Sequence, residues 1–115
     1  MTWKVTKVYQ RSRENPVSGK AGDVLETGKT DDWDGNGSIW LWCKDKEGRE
    51  GWIAEEVLEL DGERAILKTD FNALELSVQT GETLEGTEKL AAWLLSKNQQ
   101  GQTGWLPLAN VEELL

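Results

Sequence analysis

Oxygen-bearing side chains recur at alternate positions in Asp32-Trp33-Asp34-Gly35-Asn36-Gly37-Ser38-Ile39. Oxygens at places one, three and five, glycine at six and an apolar residue at eight match the opening of a calcium loop. Place twelve needs a bidentate carboxylate, and Cys43 stands there. A calcium ion takes six or more oxygens, more than Asp32, Asp34 and Asn36 supply alone. Asp-Gly and Asn-Gly are also ordinary turn formers. The main reading is therefore a plain acidic loop, and a calcium-binding module through residues 32–38 is the alternative.

Other chemistry is limited by what is missing. The 115 residues include no histidine and one cysteine, Cys43. A serine or cysteine nucleophile activated by histidine cannot be built. Zinc sites of the Cys/His type are equally excluded. The chain is expected not to be an enzyme and to need no cofactor. Thirteen Lys+Arg face 21 Asp+Glu, a formal net charge of −8. That balance argues against a phosphate backbone and an anionic membrane surface, and suits a basic protein or peptide partner. Without a disulfide pair the chain reads as a product of a reducing compartment. Its first 15 residues contain no apolar run long enough for a signal peptide or a membrane span, so a cytoplasmic location is expected.

The elements that would carry these residues come in two copies. Gly51-Trp52 and Gly104-Trp105 are 53 residues apart, and at the same offset Gly48 meets Gly101, Lys44 meets Lys97, Leu41 meets Leu94 and Trp40 meets Trp93. Upstream, "GDVLE" from Gly22 pairs with "GETLE" from Gly81 at an offset of 59. The first copy thus has six more residues, and they fall in the acidic loop. Downstream, Val57 pairs with Val111 after a one-residue shift. "SIWLWCK" and "AAWLLSK" are short apolar runs, each followed by a polar segment with paired glycines and a second apolar run. Such spacing predicts strands joined by tight hairpins, with no convincing helical period. The expected organisation is all-β, with unit 1–60 and unit 61–115 packed through the brief Asp61-Gly62 linker.

The second copy, "ELSVQTGETLEG…WLLSKNQQGQTGWLPLANV", resembles the Src-homology-3 pattern. It has Glu-Leu-Ser, Gly-acid-x-Leu, a Trp opening the next strand, Gly-x-x-Gly, two apolar residues with Pro, and a closing Val. The resemblance covers most of both copies and implies two tandem small SH3-like β-barrels, of the bacterial type, each with a three-ten turn before its last strand. It further implies an aromatic groove for a proline-containing peptide. Carried over by position, Trp40 and Trp93 take the groove tryptophan. Pro107 takes the groove proline, where the first copy has Ala54. Tyr9 and Phe71 supply the early aromatic of the first and second copies. The family's tyrosine before the closing Val is absent, with Glu56 and Asn110 in its place. Cys43 and Ser96 fall on a small buried position. Asp31, Asp32 and Asp34 lie in the loop that flanks the groove and would attract Lys or Arg of a partner. The function expected is a non-enzymatic protein or peptide interaction module, with a structural or oligomerisation role as a further alternative.

Overall fold

The computed structural model describes residues 1–32 and 38–115, and these form an all-β protein. The strands are β1 (Thr2–Val5), β2 (Ser18–Gly19), β3 (Val24–Asp31), β4 (Trp40–Lys44), β5 (Glu50–Ala54), β6 (Leu58–Asp61), β7 (Arg64–Leu67), β8 (Phe71–Asn72), β9 (Thr83–Leu90), β10 (Trp93–Lys97), β11 (Thr103–Pro107) and β12 (Val111–Glu113). Three-ten turns at Glu55–Val57 and Leu108–Asn110 precede β6 and β12. No helix among the described residues is long and apolar enough to cross a membrane.

The polar segments with paired glycines close two hairpins as their composition demands. In β4–β5, Gly48 N donates to Asp45 O and Asp45 N to Arg49 O; in β10–β11, Gly101 N donates to Asn98 O and Asn98 N to Gln102 O. Gly48 and Gly101 sit at φ +83° and +85°, where a side chain is strained. This is a tight turn followed by a glycine bulge. A side-chain oxygen organises each turn from within. Asn98 Oδ1 accepts from Gln100 N and Gln102 N, and Asp45 Oδ1 accepts from Glu47 N and Arg49 N.

One five-stranded sheet runs β11-β10-β9-β1-β12 and the other β5-β4-β3-β7-β6; β2 and β8 make a separate two-stranded sheet. The two orders match position for position, except that the second strand from one end is β1 in one sheet and β7 in the other. Backbone bonds repeat with it. Gly86 N donates to Met1 O and Thr27 N to Glu63 O; Gly81 N donates to Val5 O and Gly22 N to Leu67 O. Thus β1 matches β7 at an offset of 62 and β9 matches β3 at 59. The final strands match at 53 without a shift: Val111 faces Val5 as Leu58 faces Leu67. Leu58, not Val57, therefore corresponds to Val111, and Val57 corresponds to Asn110.

Contacts divide the chain into one unit of Met1–Glu14 with Leu74–Leu115 and another of Asn15–Ala73. This differs from the expected division into 1–60 and 61–115. The cause is the connection after β6. Asp61 faces Arg64 directly, so only Gly62, at φ +63°, and Glu63 turn the chain. So short a turn makes β7 the antiparallel neighbour of β6. The dipeptide foreseen as a linker is thus a hairpin turn inside one unit. With β7 beside β3, the place between β9 and β12 is taken by β1.

Each unit buries the inward face of its sheet. In the first, Trp3, Val5, Leu76, Val78, Leu84, Leu94, Leu106 and Val111 form one core, with Tyr9 and Leu108 packed against it. In the second, Val17, Leu25, Leu41, Cys43, Ile53, Leu58, Ala65 and Leu67 are buried. Cys43 is fully enclosed, as Ser96 is in the other unit, and burial pushes its thiol up to about 12. It fills space and is no nucleophile at neutral pH.

Asp45 provides a pH test of the second unit. Burial by itself would raise its carboxyl, but hydrogen bonds from Arg49 N, Ser18 N, Arg49 Nε and Glu47 N outweigh that and hold it below the ordinary carboxylate value. A lowered folded value means stability that is present above the ordinary value and is lost as pH falls through and below it. Asp45→Asn keeps the Oδ1 acceptor that Asn98 uses but cannot accept from Arg49 Nε and Ser18 N, which lie 2.7 and 3.3 Å from Oδ2. The variant is expected to lose about 1–3 kcal/mol at pH 7 and to flatten the acid limb of a denaturant-monitored stability profile.

Candidate aromatic recognition site

Tyr9 follows β1 and is clamped to Val78 by a reciprocal pair of backbone bonds, Tyr9 N to Val78 O at 3.1 Å and Val78 N to Tyr9 O at 2.8 Å. Trp93 opens β10, directly after the two-residue turn Ala91-Ala92, and faces Pro107 across the β10–β11 ladder. Ala91 takes φ +53°, a conformation a non-glycine residue adopts only at a cost. The Tyr9 and Trp93 rings meet edge to face, with centroids 6.0 Å apart and planes at 82°. Both residues are half-buried, as is Pro107. Tyr9, Trp93 and Pro107 thus lie in one unit, and the three-ten turn begins just after Pro107.

Glu75 anchors this arrangement. Its carboxylate accepts from Ser12 N and Ser12 Oγ, both at 2.8 Å, and from the Tyr9 hydroxyl. Burial first, then the Glu75 charge and hydrogen bond, raise the Tyr9 phenol above its usual value. Tyr9 therefore stays protonated through neutral and moderately alkaline pH, an apolar ring with one fixed donor. Asn110 performs the matching task on the other side. Its side-chain amide N–H donates to Val8 O at 3.2 Å and Lys7 O at 3.5 Å, and its backbone carbonyl accepts from Thr6 N. It thereby holds the segment leading to Tyr9. The sequence marked Asn110 only as the absent tyrosine, and Glu75 only as the first letter of Glu-Leu-Ser. Their roles depend on a segment about 65 to 100 residues away, which no local pattern reveals.

The remaining candidates are placed otherwise. Trp40 is 5% exposed and offers almost no surface to a ligand. Tyr9 was expected beside Trp40 and Phe71 beside Trp93. Instead Phe71 belongs with Trp40 to the unit Asn15–Ala73 and is itself buried, while Tyr9 meets Trp93. The reason is strand pairing: β1, which leads to Tyr9, lies between β9 and β12, whereas β7, which leads to Phe71, lies between β3 and β6. Asp31 ends β3 opposite Trp40, and both Asp31 and Asp32 are exposed. Asp34 and Asn36 lie outside the described residues. Among the described residues no group of three or more Asp, Glu, Cys or His could hold a metal ion.

Two further features belong to the unit Asn15–Ala73. Trp42 and Trp52 pair across β4 and β5 with centroids 5.2 Å apart, Lys29 Nζ lies 5.2 and 5.6 Å from the two rings, and Trp42 Nε1 donates to Glu50. A groove of about 580 Å3 is lined by residues including Gly19, Lys20, Asp45, Arg49 and Phe71. Its charges are largely matched internally, as in Arg49–Asp45 at 2.7 Å and Lys20–Asp70 at 3.9 Å. No family model, curated protein or solved structure matches the chain.

Proposed function

We propose that the chain is a non-enzymatic interaction module built from two SH3-like units, and that the unit carrying Tyr9 and Trp93 receives a basic, proline-containing peptide. The strand order with a three-ten turn before the final strand supports the SH3-like reading. The observation that carries the functional reading is the edge-to-face meeting of Tyr9 and Trp93 with Pro107 opposite Trp93. An aromatic pair with rigid side chains offers large contact area at low entropic cost, which suits an extended segment with its own fixed backbone. The net charge of −8 favours Lys or Arg on the ligand and speeds its encounter.

Titration of a panel of basic proline-containing peptides, followed by two-dimensional NMR of the indole N–H signals, tests this. Trp93→Ala is expected to weaken binding about tenfold or more, the behaviour of an aromatic anchor. Trp40→Ala removes a buried ring and is expected to lower stability rather than to change affinity selectively. Unchanged affinity in Trp93→Ala would refute the site.

A further inference from the structure

The geometry points to a size code that addresses each first strand to its unit: Trp3 of β1 to Gly86 of β9, and Ala65 of β7 to Thr27 of β3. The equivalences come from the backbone bonds, which match Gly86 with Thr27 and residues 1–5 with residues 63–67. A Cβ at Gly86 would lie 2.5 Å from Trp3 Nε1 and 2.7 Å from Trp3 Cδ1. Trp3 therefore occupies the space a side chain at 86 would need. In the other unit the first strand has Ala65 at that place and the receiving strand has Thr27. Large meets none, and small meets medium.

A second pair agrees. Val5 of β1 and Val78 are both buried in one core. Their counterparts are Leu67 of β7 and Gly19, where a Cβ would come 2.8 Å from Leu67 Cδ1. Had each copy kept its own first strand, Trp3 would face Thr27, Leu67 would face Val78, Ala65 would leave a hole at Gly86 and Val5 a hole at Gly19. Two clashes and two cavities are both penalised in a close-packed interior. The turn at residues 62–63 enforces the exchange by connectivity, and the paired sizes enforce it by packing. The chain is thus two copies that have traded strands, each completed by the other's segment.

Cysteine cross-linking of the full chain separates the two controls. Cys43→Ser removes the native thiol, and Ser96 already fills the same place in the other unit. Thr2→Cys with Glu85→Cys reports the traded pairing, since these residues face each other. The flanking bonds run from Gly86 N to Met1 O, so this is a closely spaced pair that a disulfide can span. Arg64→Cys with Glu85→Cys reports the untraded pairing, because Arg64 corresponds to Thr2. Insertion of about twelve Gly/Ser residues between Gly62 and Glu63 frees β7 from its hairpin.

In the lengthened chain the first cross-link is expected to exceed the second by at least about tenfold. Predominance of the second would show that the turn alone decides, and would overturn the code. Adding Thr27→Gly, Gly86→Thr, Gly19→Val and Val78→Gly swaps the receivers and is expected to reverse the ratio; persistence of the first cross-link would likewise overturn it. Should that fourfold variant fail to fold, Trp3→Ala with Leu67→Val in the lengthened chain still decides, because β1 and β7 then carry the same residues at both coded places. It is expected to give both cross-links, and continued dominance of the first would count against the code.

Discussion

Gly104→Ala is expected to lower the stability of the unit Met1–Glu14 with Leu74–Leu115 by about 3 kcal/mol or to unfold it. The added Cβ would lie 2.6 Å from Leu76 N, 2.7 Å from Glu75 C and 3.0 Å from Glu75 O. All three are backbone atoms, and backbone cannot swing aside as a side-chain tip can. They are also held in place: Leu76 N donates to Trp105 O at 3.1 Å and Trp105 N to Leu74 O at 2.9 Å, a short parallel bridge over β11. Relieving the clash means breaking that bridge, which also carries Glu75 and hence the support of Tyr9. Gly51, the matching glycine, is the control. A Cβ there meets Val17 Cγ1 at 3.2 Å and Pro16 Cβ at 3.5 Å, side-chain atoms that can shift by a few tenths of an ångström. Gly51→Ala is expected to cost about 1 kcal/mol or less. Denaturant melts of the two variants provide the comparison, and equal losses would refute the argument. The doubled Gly-Trp therefore has a physical purpose: glycine admits a crossing segment over the strand, and tryptophan continues the strand.

Severing the protein at residue 60 is expected to abolish folding of both halves. A fragment of residues 1–60 keeps β3 and β6 but loses β7, which lies between them and pairs with both. A fragment of residues 61–115 keeps β9 and β12 but loses β1, and with it Trp3 and Val5 of the core. Units of this size have only about 5–10 kcal/mol to lose, so removal of a central strand exceeds the margin. Each fragment alone should show no cooperative melt by circular dichroism, and an equimolar mixture should recover one. A cooperative melt of 1–60 alone would mean that Thr2–Val5 can take the place of Arg64–Leu67, contrary to the packing of Trp3 against Gly86.

The hairpins, the glycines at their bulges and the all-β class follow from local patterns, because turn geometry and strand alternation act within a few residues. The offsets of 53 and 59 that align Trp40 with Trp93 and Leu25 with Leu84 are likewise read from the residues alone. Only the tertiary structure decided which first strand completes which sheet. Both β1 and β7 alternate exposed and buried residues, so either satisfies the period of either slot. The choice lies in contacts between residues some 40 to 80 positions apart, and in a turn too short to let β7 leave β6. That choice also moved Tyr9 from Trp40 to Trp93 and so created the candidate site. A repeat alignment compares each copy with the other but carries no information on whose strand fills whose gap, because pairing is a matter of shape and reach rather than of residue identity alone.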